Sequence, residues 1–277
     1  MITRRDRLMT WAALLLLALL CAVFISLGQW QLRRADERRG IAAQIEAGRQ
    51  GTPIALSSSL NPSSLKPWVP ASAHGRWLPE LSLLIDNRNQ DGKPGLWLAT
   101  PIMLDDGYAV LVLRGWFPRT IEGLPTPLAV GAAGNLALIE AALKDQTEQV
   151  VTGELAEHVP RLFELWRLSG PAKQGVLPSG WPAQKGEINQ LTLDTLPRVQ
   201  NIELMDLKTA TGLHFIPTVL LQKDVNDDGL SRSWPQPSLD SDKNQGYALQ
   251  WFGFATIALI AWMVIAFKAY QRASRQD

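Results

Sequence analysis

The sequence predicts a membrane protein of the α+β class: two transmembrane helices flanking a mostly β extracytoplasmic domain that holds one or two helices. Three observations carry this. Uncharged apolar runs stand at both ends of the 277-residue chain, at 8–27 and 247–267. Each is about 20 residues, which at about 1.5 Å per residue matches a hydrocarbon core of about 30 Å. Between them, short aliphatic and aromatic segments alternate with Asp, Gly and Pro clusters, the pattern of strands and turns.

The first run follows Arg4, Arg5 and Arg7 as the core of a signal peptide would, yet it is long for one, and no small-residue cleavage pattern follows. A retained anchor at 8–28 is the better reading. Trp30 and Trp251 fall at one membrane level and Tyr270 at the other, where amphipathic rings favour the headgroups. Arg4, Arg5, Arg7, Lys268, Arg272 and Arg275 outnumber Arg33, Arg34, Arg38 and Arg39, which places tails 1–7 and 268–277 in the cytoplasm and 29–246 outside it.

The first helix is expected to continue into water over 33–49. Loop chemistry follows at Ser57-Ser58-Ser59 and Asn61-Pro62-Ser63-Ser64. Strands are expected at 81–86, 96–104 and 108–117, the last two joined through Asp105-Asp106-Gly107 in a meander. An alanine-rich helix is expected at 135–144 with Asn135 as N-cap, then a strand at 149–155. The glycine- and proline-rich tract 169–186 reads as a loop. A second helix is expected over 194–211, with Pro197 in its first turn and Gly212 past its end. A strand at 214–222 and a polar loop at 224–245 lead to the second anchor, 247–267.

Composition narrows the chemistry. A formal net charge of +1 argues against a nucleic-acid partner, whose binding needs a strongly basic surface. The single cysteine, Cys21, lies inside the first apolar run, so thiol redox or thiolate metal chemistry in the central domain is excluded. His74, His158 and His214 are widely separated, and no HExxH, GxSxG, P-loop or GxGxxG pattern occurs. The stretch 224–229, Asp-Val-Asn-Asp-Asp-Gly, matches the opening of an EF-hand loop. Its ninth and twelfth positions are Arg232 and Pro235, so an acidic surface turn is the better reading and no metal site is assigned. Trp77, Trp97 and Trp116 are read as core.

Several blocks then point to one family. Leu27-Gly28-Gln29-Trp30-Gln31-Leu32-Arg33-Arg34 resembles the LGxWQxxR signature of the Surfeit locus protein 1 family. Gly75-Arg76-Trp77, Ile85-Asp86-Asn87-Arg88, the stretch from Gly95 to Thr100-Pro101, and the run 110–118 ending Arg114-Gly115-Trp116-Phe117-Pro118 agree in order. Val151-Thr152-Gly153-Glu154-Leu155 is similar to the family's VxGxL strand, and Tyr247-Ala248-Leu249-Gln250-Trp251-Phe252 to its YAxQWF motif. The resemblance implies a non-enzymatic assembly factor for haem-copper cytochrome c oxidase in a bacterial inner membrane. Such a factor assists haem A delivery to, or stabilisation of, nascent subunit I, with that subunit, the haem A supply enzymes and membrane lipid as partners.

It also implies a haem-associated region at Trp30, Asn244, Tyr247 and Trp251, and partner contacts at Gln29, Arg33, Arg88 and Arg114. Arg33 and Arg34 suit haem propionates, oxidase carboxylates or lipid phosphates; Arg88 and Arg114 suit internal ion pairs or a partner-facing patch. The chain departs from the family at one informative place. A haem-associated histidine usually stands three residues before the tyrosine of YAxQWF, and here that residue is Asn244. His74, His158 and His214 are the only other imidazoles. The competing class is a membrane-tethered sensor or an envelope hydrolase working through two carboxylates.

Overall fold

A computed structural model describes residues 4–119, 128–160, 177–178, 181–182, 191–224 and 226–274. The expected loop at 169–186 lies largely outside these residues. The chain divides into two units. One comprises residues 1–44 with 237–277, and the other residues 45–236.

The first unit is a pair of helices. Helix α1 (Arg4–Arg49) is 46 residues long, about 69 Å, and carries the first apolar run and its expected extension over 33–49 without a break. The last helix, Ser241–Ala273, is 33 residues long, about 50 Å. Both are long and apolar enough to cross a membrane. Partners along α1 run backwards along the last helix: Gln31 meets Asn244, Phe24 stacks on Trp251, and Cys21 Sγ approaches the Ala255 carbonyl. The helices are therefore antiparallel. Leu14, Leu17, Cys21, Phe24, Gly28 and Gln31 are among the less exposed positions of α1 here and are spaced in threes and fours, as a two-helix seam requires. Gly28 sits where the helices cross closely, since a Cβ there would meet the Phe252 ring at 2.7 Å.

The second unit is a curled sheet. Its strands are β1 (Ile54–Ala55), β2 (Pro70–Trp77), β3 (Leu83–Gln90), β4 (Lys93–Leu104), β5 (Ala109–Pro118), β6 (Glu148–Ala156), β7 (Arg198–Val199) and β8 (Phe215–Gln222). They lie in the order β1-β2-β6-β8-β5-β4-β3-β7, with a further β2–β4 pairing. That pairing closes β2, β6, β8, β5 and β4 into a five-stranded barrel. Strand β4 is long enough to serve two neighbours along one edge, β3 with its first half and β2 at Ile102, Met103 and Leu104. Small and branched side chains fill the narrow interior: Ala71, Ala73, Ile102, Val110, Val112, Val151, Ile216 and Leu220. Gly153 is required by the tight winding, because a Cβ there would lie 2.2 Å from the Leu221 carbonyl oxygen.

Helices α2 (Leu128–Leu143) and α3 (Leu204–Thr211) cover the outside. Ile139 and Leu143 of α2 pack on Leu84, Leu96, Leu98 and Phe117. Leu207 of α3 joins Leu83, Trp97, Leu111, Trp116 and Val219. Strand β5 is thus buried on both faces. The expected core tryptophans are all buried, Trp77 most of all.

The structure corrects several expectations. Strand β2 forms where no strand was expected, and it holds the Gly75-Arg76-Trp77 block. Strand β3 starts at Leu83, not 81, because Pro79 and the residues after it make a 3-10 turn. Helix α2 begins at Leu128, so Asn135 lies inside it and is no cap. The expected helix over 194–211 is instead a 3-10 turn (Leu193–Thr195), strand β7 and the short α3. Pro197 separates these pieces, and its carbonyl accepts from Leu84 N at the edge of β3.

The segment 224–245 is not simply a polar loop. Trp234 is buried, donating Nε1–H to the Gln222 carbonyl at 2.8 Å and packing on Trp97, and Ser231 bridges to Trp116. Helix α4 (Ser241–Ala273) already holds Asn244 and Gln245. In the EF-hand-like stretch, Asp224 accepts from Thr152 and Asp228 pairs with Arg232, so both carboxylates are engaged by protein groups.

Candidate functional site

The sequence motifs nearest the apolar runs meet in the helix pair. Asn244, in the first turn of α4 and only 8% exposed, donates Nδ2–H to Gln31 Oε1 at 2.7 Å. Two turns toward the apolar segment, Trp251 stacks on Phe24 at 5.8 Å between centroids, and Phe254 closes the cluster edge-on. One turn the other way, Arg38 Nη1 donates to the Asp240 carbonyl at 2.9 Å, tying α1 to the residue that precedes α4. An amide clasp is therefore set between an aromatic cluster and a cationic tether.

Around this clasp the exposed side chains are Trp30, Tyr247, Gln29 and Arg33. The helix pair thus holds six of the expected residues, four of them exposed and two, Asn244 and Trp251, in its seam. Gln31 was not among the expected site residues, although the spacing from Phe24 through Gly28 places it, and not Gln29, on the face that meets α4.

The other two expected partner-binding residues belong to the barrel unit, and the structure corrects their role. Arg88 is 3% exposed and Arg114 is 4% exposed, so neither offers a guanidinium to a partner surface. Nor does either form an internal ion pair among the described residues. Each lies instead on an indole: Arg88 Cζ is 4.7 Å from the Trp97 ring centroid and Arg114 Cζ is 4.5 Å from that of Trp77. Arg88 donates to the Gln200 carbonyl and Arg114 to the carbonyl of Ala142 in the last turn of α2, where a cation meets unsatisfied oxygens. Burial pulls both guanidinium pKa values down to about 10.

Two irregularities in the sheet put them there. Between the pairs Leu98↔Gly115 and Ala99↔Leu113, Arg114 is an extra residue with no partner on β4, a bulge that turns its side chain inward. Between Ile85↔Trp97 and Arg88↔Gly95, β3 carries one residue more than β4, and Asn87 takes the left-handed conformation with φ of 63°. Trp116 Nε1–H then donates to the Arg88 carbonyl at 2.7 Å, and its indole occupies the space a side chain on Gly95 would need.

The histidines stand in separate settings within the barrel unit. His74 is bonded to Asp105, His214 lies against Tyr108, and His158 is exposed after β6.

Fold and helix pair together define a class: a closed β unit carried between two helices each able to cross a membrane. The sequence profile of the SURF1 family matches residues 18–256. The chain belongs to the SURF1 family. It is 24% identical over 246 residues to a SURF1-like protein of Rickettsia felis, covering 87% of this chain and 91% of that one. It is 24% identical over 200 residues to a SURF1-like protein of Dictyostelium discoideum, covering 68% and 72% respectively. Over 93 residues it is 32% identical to the cytochrome oxidase assembly protein SHY1 of Saccharomyces cerevisiae, covering 32% of this chain and 24% of that protein.

Proposed function

We propose that this protein is a non-enzymatic factor for cytochrome c oxidase assembly, anchored by α1 and α4 in a bacterial inner membrane with the barrel on the extracytoplasmic side. The observation that carries this reading is the family match across 18–256, which takes in both helix ends and the barrel, together with the assembly role printed in the name of the yeast relative. The basic tails support the orientation, because short basic segments stay in the cytoplasm.

The haem A that the family resemblance implies needs an axial donor, for which imidazole is the usual choice. Asn244 stands in the family histidine's place, and its amide nitrogen is committed to Gln31. The residues of the helix pair therefore do not fit an axially ligated haem. The function this geometry supports is protein-directed: Trp30, Tyr247, Gln29 and Arg33 offer an aromatic, polar and cationic rim at the membrane boundary against which nascent subunit I is held while it matures.

Photo-crosslinkers at Trp30 and Tyr247, in cells making subunit I afresh, test this. The expected result is an adduct containing subunit I that decays as the oxidase completes. Adducts with lipid alone would contradict it. Protein purified from cells that make haem A is expected to lack a haem absorption band, and an Asn244→His variant to acquire one.

A further inference from the structure

Three side chains of metal-ligating type outside the helix pair meet on the barrel, His74 on β2, Glu148 on the neighbouring β6 and Asp105 in the turn just after β4, and the strand register puts them there. Gly75 of β2 is paired with Leu104 of β4, so the next positions along that ladder are His74 and Asp105. On the other edge of β2, His74 is paired with Val150 of β6, and Glu148 lies two residues along β6 on the same face. His74 Nδ1 is 2.7 Å from Asp105 Oδ2, and Nε2 is 4.0 Å from Glu148 Oε1. One donor atom from each of the three residues lies within 4.8 Å of the others. The turn that carries Asp105 is held by Asp106, which accepts from Ser58 N and Tyr108 N, and by Gly107 N donating to the Leu104 carbonyl.

We infer that His74, Asp105 and Glu148 form a surface site for one divalent transition-metal ion, of which zinc is the test case. One imidazole and two carboxylates are a nitrogen and oxygen donor set that suits zinc, with remaining positions left to water. At metal–ligand lengths of about 2.0–2.2 Å, neighbouring donors of a tetrahedral ion stand about 3.3–3.6 Å apart. One donor atom from each residue already lies within 4.8 Å of the others, and all three side chains are exposed and free to close by the remainder. Arg76, the register partner of Glu148, competes for that carboxylate, yet makes no ion pair with it among the described residues. A bound ion would clip β2, β6 and the β4–β5 turn together at one face of the barrel.

Zinc chloride titrated calorimetrically into the full chain in detergent, with magnesium chloride as control, tests this. The expected result is one saturable zinc equivalent that magnesium does not reproduce. His74→Ala should weaken it at least about tenfold and Glu148→Gln several-fold, while His158→Ala and His214→Ala leave it unchanged. Zinc should also raise the melting temperature of the parent chain but not of His74→Ala, whose unchanged tryptophan fluorescence would show it folded. Absence of saturable zinc binding, or binding that survives His74→Ala, would overturn the assignment.

Discussion

The guanidinium of Arg114 lies 4.5 Å above the ring of Trp77, and the same side chain donates to the Ala142 carbonyl at the end of α2. A residue that reads as surface charge thus joins the barrel interior to the helix outside it. Arg114→Ala is expected to cost about 2–4 kcal/mol, combining a charged hydrogen bond, a desolvated cation–π contact and the space left behind. Denaturant unfolding of Arg114→Ala, Trp77→Leu and the double variant should give a coupling of about 1–2 kcal/mol. Additive losses would mean the stack contributes nothing. Arg114→Lys should recover little, because the planar stack is lost.

Gly95 is expected to tolerate no side chain. A Cβ there would lie 2.3 Å from Trp116 Nε1 and 2.4 Å from the Phe117 carbonyl oxygen. Gly95→Ala should therefore displace the indole from the Arg88 carbonyl and lower stability by about 2 kcal/mol or more. A red shift in tryptophan emission would report it, and an unchanged spectrum with unchanged melting would refute it.

Asp145 links stability to acid pH. Partial burial raises its carboxyl pKa, but hydrogen bonds from the Thr147 backbone and hydroxyl and from Gln149, with the field of Arg114, more than offset this and hold it below the ordinary 3.8. A depressed folded-state value means the ionised group stabilises the fold above the ordinary value. That contribution is lost as pH falls through the folded-state value. Melting temperature measured from pH 6 down to pH 2 should fall less steeply for Asp145→Asn than for the parent, and the variant should be the less stable at pH 6.

The amide clasp predicts a rescue. Gln31→Leu leaves the Asn244 amide in the helix seam without its acceptor and should weaken helix pairing, and Gln31→Leu with Asn244→Leu should restore it. In a bilayer such a bond contributes about 0.6 kcal/mol, so thermal unfolding in detergent must resolve a shift of a degree or two. A double variant no better than the single would argue against the bond.

Much of this architecture was legible in the sequence, for specific reasons. The apolar runs and the extension over 33–49 announce α1 because nothing in them breaks a helix, and Asp105-Asp106-Gly107 announces the β4–β5 turn. The segment 194–211 misled because Pro197 can open a helix as well as end one, and only the pairing of β7 with β3 decides between them. Arg88 and Arg114 misled because charge normally marks a surface. Their burial depends on bulges and on indoles distant in sequence, which no local pattern reveals. Gln31 was within reach, since the threes-and-fours spacing of the α1 seam places it opposite the last helix.

The central claim is that this chain serves oxidase assembly, and the most direct measurement is the reduced-minus-oxidised spectrum and cytochrome c oxidase activity of membranes from a strain lacking the gene and any paralogue. The account predicts a severe loss of assembled oxidase, restored by the parent chain and by Asn244→Ala, which keeps the rim and can supply no iron ligand. Normal oxidase levels in the deletion strain would contradict it.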